Sequence, residues 1–308
     1  MAIVKTDIPT TSQVSHEAVQ ALARRYPSIE TRVLTETDCG RPVDLMVMGS
    51  GERRVIFSAA HHANEWITTP VLLKFAEELA QALEDNGRIF GVPAQTLVRA
   101  STIYIVPMVD PDGVDLVTGA IQPGTAQYRQ AQRIAADFPR IPFPDGWKAN
   151  LNGVDLNLQY PAGWLQAREI KFRQGFTRPA PRDYVGRAPL TQKESWAMAE
   201  LTEEVDPDMV IALHTQGEEI YWQFEDYDIP QARRYGEEFA RLSGYTLADT
   251  PYNSSFAGYK DWFIRRFRKP GYTIEAGRGE NPLPLEQFDA IYRNVLGILV
   301  TASTGLPG

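Results

Sequence analysis

The sequence predicts one α/β domain built on a mixed, largely parallel, doubly wound sheet flanked by helices. Three observations lead there. Short apolar runs alternate with amphipathic segments along the chain, the order that strand–helix–strand units produce. No linker, internal repeat or low-complexity stretch divides the 308 residues. At 43% hydrophobic and 23% charged, a chain of this length can bury a sizeable core without disulfides or metal staples. The expected organisation is a single domain over 1–308, with 1–14 as an extended or disordered tail.

The elements follow in order. Residues 15–26 have the spacing of a short amphipathic helix. Residues 31–49 alternate in strand fashion around the turn residues Asp38-Cys39-Gly40-Arg41-Pro42. Arg53–Ala59 is an apolar strand that runs directly into His61-His62. Residues 66–83 keep a helical period, with Leu72, Leu73, Phe75, Ala76, Leu79 and Leu83 on one side. Residues 102–107 read as a buried strand. Residues 110–187, punctuated by Pro and Gly, read as mostly irregular, and so long a connection is usually functional. Beyond it come a helix at 192–204, a strand at Met209–His214 and a helix at 230–243. A short strand at 272–275 and a closing helix at 285–301 complete the chain.

Composition excludes some functions. The net charge of −8, with a pI near 5.2, argues against a nucleic-acid partner bound on a broad basic face. The single cysteine, Cys39, rules out an internal disulfide framework and suits a reducing compartment. Its neighbours Asp38 and Gly40 offer no activating base, so it reads as a turn residue. The N-terminus lacks a signal-like apolar run, and no stretch reaches membrane-span length. The expectation is a soluble cytoplasmic protein without a membrane or nucleic-acid partner; a spore compartment is the alternative.

Four histidines occur, and three of them border strand ends. His62-Ala63-Asn64-Glu65 supplies a His-x-x-Glu pair, and His61 competes as first ligand because it lies four residues from Glu65. His214 ends the apolar run from Met209, and Glu275 stands alone in Tyr-Thr-Ile-Glu-Ala-Gly. Two histidines and one glutamate can hold a catalytic zinc with the fourth position open. A separate glutamate can then act as general base. Singly, each has an ordinary explanation: a chance motif, a rim histidine, a carboxylate paired with Arg278 or Lys269. Together and in this order, at strand ends where open α/β sheets place their sites, they point to one zinc centre.

The ordered pieces His62-Ala63-Asn64-Glu65-Trp66-Ile67, Asp110-Pro111-Asp112-Gly113, Gly153-Val154-Asp155-Leu156-Asn157, His214, Asp261-Trp262 and Glu275 resemble the zinc carboxypeptidase family of metallopeptidases. The resemblance covers nearly the whole chain and implies that family's fold. It implies one Zn2+ held by His62, Glu65 and His214, and Glu275 as base. It selects His62 over His61, because His62 takes the motif's place ahead of Glu65 and Trp66.

The departures are informative. Family members typically continue with Asn-Arg, which grips the substrate's terminal carboxylate; here the pair is Asn157-Leu158. Leucine cannot form arginine's bidentate pair, which argues against ordinary C-terminal exopeptidase action. Lys148 stands in for a second family arginine and is expected to stabilise the oxyanion. Leu158, the His61-His62-Ala63-Asn64-Glu65-Trp66 run and residues 277–284 look like one branch, the bacterial γ-D-glutamyl-L-diamino acid endopeptidases. These cut peptidoglycan stem peptides between γ-D-glutamate and meso-diaminopimelate. Branch members often carry wall-binding repeats; none is visible here, so the chain looks like the catalytic domain alone.

Such a substrate is rich in carboxylates. Local basic clusters occur at 161–190 (Arg168, Lys171, Arg173, Arg178, Arg182, Arg187) and at 260–269. Most of these residues suit a solvated face. The expected substrate contacts are Lys260, Asn157, Arg187, Arg278 and Tyr252, with Lys260 meeting a diaminopimelate carboxylate. The family's mobile tyrosine has Tyr252 and Tyr259 as its nearest candidates. Glu218 and Glu219 are candidates for a substrate ammonium. The alternatives are a metallocarboxypeptidase or N-acyl amino acid deacylase on the same scaffold, or a catalytically silent wall-peptide-binding module. Glu275 argues against the last, since binding alone does not need a base.

Overall fold

The computed structural model describes residues 2–306. In chain order the elements begin with α1 (Ser12–Arg25), β1 (Ile29–Glu36), β2 (Pro42–Gly49), β3 (Arg53–Ala59) and α2 (Thr68–Glu84). A small hairpin of β4 (Arg88–Ile89) and β5 (Val92–Pro93) follows, then α3 (Ala94–Ala100), β6 (Ser101–Val106), α4 (Pro111–Val117), α5 (Ala126–Ala136) and α6 (Trp164–Arg173). The second half holds α7 (Lys193–Val205), β7 (Met209–His214), β8 (Glu219–Tyr221), α8 (Ala232–Ser243), β9 (Thr246–Ala248), α9 (Tyr259–Phe267), β10 (Gly271–Glu275) and α10 (Phe288–Thr304).

The main sheet has the order β1-β2-β6-β3-β7-β10-β8-β9. Its centre, β6-β3-β7-β10, is parallel, as is β8–β9; the β1–β2, β2–β6 and β10–β8 pairings are antiparallel. This is the mixed, doubly wound α/β arrangement expected. Central parallel strands are covered on both faces, which is why β7 reads as an unbroken apolar run. Side chains still alternate between the faces. Val55, Phe57, Ile211 and Ile274 pack under α1, α2, α8 and α10. Ile56, Val106, Val210 and Ala212 pack under α6, α7 and α9.

The first helix starts at Ser12 rather than 15, because the Thr11 hydroxyl accepts from the Val14 N–H at 3.2 Å and caps it there. Upstream, the Ile3 and Val4 N–H groups donate to the Glu77 carboxylate, at 2.6 and 3.2 Å. The connection 110–187 is less irregular than expected, for it holds α4, α5 and α6. Asp110 caps α4 through the Gly113 N–H, with Pro111 at the first helical position. Thr125 caps α5, a helix that buries only Ala131 and Ala135 and so shows little apolar stripe. Among the described residues no helix is long and apolar enough to cross a membrane.

Candidate active site

Three adjacent parallel strands deliver the central residues. His214 ends β7 and is the register partner of Glu275 at the end of β10. On the other side of β7, Ala59 of β3 pairs with Leu213. The chain leaves β3 through Ala60 at φ +49°, and the Thr68 hydroxyl accepts from the Ala60 N–H at 3.1 Å. A 3-10 turn over Ala63–Glu65 then brings His62 and Glu65 to one side. Gly113 lets the next element pack close. A Cβ there would lie 2.6 Å from the Ala149 carbonyl and 2.8 Å from the Ala63 Cβ.

The donor atoms converge. His62 Nδ1 lies 2.9 Å from Glu65 Oε1, and His214 Nδ1 lies 2.8 Å from Glu65 Oε2. The two Nδ1 atoms face each other at 3.2 Å. Two nitrogens bound tetrahedrally to one zinc at about 2.0–2.1 Å stand about 3.3 Å apart, so the spacing fits that ion. One ligand atom from each of His62, Glu65 and His214 lies within 4.8 Å of the others. The set is two imidazoles and a carboxylate, the ligand chemistry of a catalytic zinc site. The second nitrogen of His62, Nε2, meets Asp155 Oδ1 at 3.2 Å, an outer partner that leaves Nδ1 to the metal.

His61 points elsewhere. It is fully buried, its Nε2 lies 3.2 Å from the Tyr160 hydroxyl, and its ring stacks on His214 with centroids 5.8 Å apart. Burial, with the nearby His214 and His62, holds it well below the ordinary histidine range and so neutral.

Charge is concentrated here. Lys148 Nζ lies 2.7 Å from Glu65 Oε1. Burial disfavours its charge, but Glu65 outweighs that and raises it. Burial also opposes ionised Glu65, yet His62, Lys148 and His214 together hold it well below the usual carboxylate range. His62 loses from burial and gains more from Glu65 and Asp155, which push it up to about 9. Glu275 is the opposite case. Burial, reinforced by the Glu65 charge, pushes its carboxyl up to about 8, although Lys148 and His62 pull it down.

The cleft above these residues has two lobes. A small lobe of about 150 Å³ reaches past Leu158 to Asn157, Lys260 and Asp261. A wider trough of about 790 Å³ runs past Asn64, Thr215 and Gly279. Lys148, Arg182, Tyr221, Ser254 and Glu275 line both lobes, so the cleft continues on either side of Glu275.

The expected substrate contacts divide. Asn157 and Lys260 line the small lobe. Lys260 is buried, and its ammonium donates to Asp261 Oδ1 at 2.6 Å and the Gln223 carbonyl at 2.5 Å. The other three lie apart from both lobes. Arg187 is exposed and lines neither lobe. Arg278 is taken up by Glu218 at 2.6 Å and likewise lines neither. Tyr252 is 65% exposed and accepts from Gln166 at 3.0 Å, facing a groove along α6 instead. Tyr259 is buried with its hydroxyl 2.8 Å from that of Thr202. Glu219 accepts from the Tyr221 hydroxyl. Asp155, Tyr221 and Arg182 were not singled out from the sequence. Asp155 carried a signal, since it sits in Gly153-Val154-Asp155-Leu156-Asn157; Tyr221 carried none.

Comparison with known proteins agrees with this geometry. The profile of the zinc carboxypeptidase family matches residues 15–296. The γ-D-glutamyl-L-diamino acid endopeptidase 1 of Lysinibacillus sphaericus is 42% identical over 282 residues, covering 92% of this chain and 69% of that protein. The uncharacterized protein YqgT of Bacillus subtilis is 40% identical over 276 residues, 89% of this chain and 72% of that one. Among solved structures, bovine thrombin-activatable fibrinolysis inhibitor superimposes with TM-score 0.74 at 15% identity, over 97% of both chains. Carboxypeptidase A from Helicoverpa armigera gives 0.72 at 17% identity, over 97% of this chain and 75% of that one. At such identities these two speak for the fold alone.

Proposed function

We propose, from the premise that the chain belongs to the zinc carboxypeptidase family, that it hydrolyses the γ-D-glutamyl–meso-diaminopimelate amide of peptidoglycan stem peptides. The family uses one zinc ion, and the chain is a zinc metallopeptidase acting on a peptide. The observation that carries the finer reading is the cleft. It extends to both sides of Glu275, and an apolar Leu158 stands where a cation would demand a terminal carboxylate. An internal amide of a carboxylate-rich peptide suits that shape.

His62, Glu65 and His214 would hold the zinc. When bound, it supplies Lewis acidity toward the amide carbonyl and lowers the pKa of a water. Glu275, half-buried at the cleft and the register partner of His214, takes the proton of the attacking water on its carboxylate. It then returns that proton to the leaving amine nitrogen. Lys148 keeps its charge and neutralises the developing oxyanion. Asp155 holds His62 in the tautomer that the ligand role needs.

The test is incubation of the zinc-loaded protein with L-Ala-γ-D-Glu-meso-diaminopimelate and with the corresponding tetrapeptide, products being read by mass spectrometry. Cleavage of both at the γ-glutamyl bond, abolished in Glu275→Gln, is expected. Cleavage of the tripeptide alone would mean exopeptidase action. No cleavage with one equivalent of zinc bound would move the function to a deacylase or a silent binder.

A further inference from the structure

We propose that Arg182 is a specificity residue that receives a free carboxylate of the peptide beside the scissile amide. The inference rests on the peptidase reading above. Three observations carry it, the first being location. Arg182 is one of the few side chains lining both lobes, and it does so beside Lys148 and Glu275. A ligand that spans the cut passes it whichever way it lies.

The second is how firmly the residue is held. The Pro181 carbonyl accepts from the N–H groups of Lys148 and Ala149, at 2.7 and 2.9 Å. The Asp183 N–H donates to Asp155 Oδ2 at 3.2 Å, and the other oxygen of Asp155 meets His62. The backbone on both sides of residue 182 is therefore tied to the segment carrying Lys148 and to the partner of a metal ligand. Asp183 accepts this at φ +65°, a conformation uncommon outside glycine.

The third is what remains unused. Arg182 Nε donates to Asp183 Oδ2 at 2.7 Å, and Asp183 Oδ1 accepts from Lys171 at 2.6 Å. Among the described residues no acceptor meets the Nη atoms of Arg182. The side chain is 41% exposed, into the cleft. A guanidinium anchored at Nε with its far edge open, in a concave and partly desolvated wall, offers two parallel N–H donors. That geometry matches a carboxylate bidentately. Lys148, the neighbouring cation, is already engaged by Glu65, which leaves Arg182 as the wall's open anion receptor.

Two carboxylates have this chemistry. One is the α-carboxylate that a γ-linkage leaves free on the acyl side, and the other is the main-chain carboxylate of the amine-side residue in a tripeptide. Peptides with each group converted to a carboxamide separate them. Arg182→Met should lower kcat/KM roughly 50-fold for a peptide bearing the recognised carboxylate. It should leave the matching carboxamide nearly unaffected, and Arg182→Lys should recover only part of the loss. Equal losses on every peptide, or none, would overturn the assignment. A second measurement is independent of turnover: calorimetric binding of succinate to the zinc-loaded protein. Weakening of about tenfold in Arg182→Met is expected; unchanged binding, or no binding by the unmodified protein, overturns the proposal. Zinc content and circular dichroism check that the variants fold. If no peptide is cleaved but the succinate difference holds, the substrate reading fails and the receptor stands.

Discussion

The two halves of the cleft are built differently. His62, Glu65, His214 and Glu275 stand at or just beyond the ends of β3, β7 and β10, above fully buried Phe57, Ile211 and Ile274. Their relative positions follow from strand register, and a register cannot shift without turning a buried face outward. Lys148, Asp155 and Arg182 stand on irregular segments. These are stitched together by bonds such as Ala63 N–H to the Lys148 carbonyl and Asp155 N–H to the Tyr184 carbonyl. The difference teaches a division of labour. The sheet sets the metal chemistry, and the loops set what is presented to it. Substitutions in the first half should stop turnover; among the loop residues Arg182 should change which ligand is preferred, while Lys148 and Asp155 act back on the strand-end chemistry.

The sharpest test of that division is Glu275→Gln. Its amide cannot take a proton, so kcat should fall about a thousandfold while zinc stays at one equivalent. Steady-state kinetics with metal analysis decides this, and a variant keeping a tenth of the activity would remove Glu275 from the role of base. Lys148→Met is the next largest effect and crosses the boundary between the halves. Losing the charge near the oxyanion should cost about a hundredfold in kcat with KM little changed. A rise in KM with kcat preserved would place Lys148 with the ligand-choosing loops instead.

Asp155→Asn tests the link between the halves. Without the carboxylate, the His62 ring loses its fixed tautomer. The zinc dissociation constant should weaken about tenfold to a hundredfold, measurable by competition with a chromogenic chelator. Unchanged affinity would mean that the strand ends alone hold the ligands.

The same division governs what the sequence makes legible. Arg53–Ala59 and Met209–His214 have the bounds expected, because the buried stretches 55–57 and 209–213 are continuously apolar and the candidate ligands follow them. The choice of His62 over His61 needed the resemblance. In the structure the His62 ring meets Glu65 and the His61 ring meets Tyr160, a choice that spacing from Glu65 leaves open. Nothing in a loop has such a period. Arg182 and Arg187 lie five residues apart on the same irregular segment, and composition gave no reason to prefer the one that lines the cleft. Arg278 is close to Glu275 in sequence, but Glu218 captures it first. β8 and β9, three residues each at one margin of the sheet, are too short to show alternation.

Lys260→Ala is expected to be mild. Two of the ammonium's three protons are already committed to Asp261 and the Gln223 carbonyl, so a ligand can draw on one. KM for a peptide carrying a side-chain carboxylate should rise about tenfold, with kcat preserved. If neither constant moves, Lys260 serves only to neutralise buried Asp261.

The smallest signal is a count of protons, and it separates the halves without any substitution. In the metal-free protein His62 titrates near 9 and Glu275 near 8, so both carry a proton at pH 7. Zinc needs the lone pair of His62, and its charge favours ionised Glu275. Uptake at pH 7 should therefore release more than one proton per ion. The number contributed by these two groups should decline as pH rises through 8 and then 9, as Glu275 and then His62 lose their protons in the metal-free protein. Lys148 and Arg182, whose charges Glu65 and Asp183 reinforce, remain protonated throughout and contribute nothing. Calorimetry in buffers of different ionisation enthalpy gives the count. A release of zero at pH 7 would mean that the strand-end residues are already deprotonated without the metal. His62 and Glu275 would then lack the protons assigned to them, and zinc uptake would no longer tell the strand-end residues from Lys148 and Arg182.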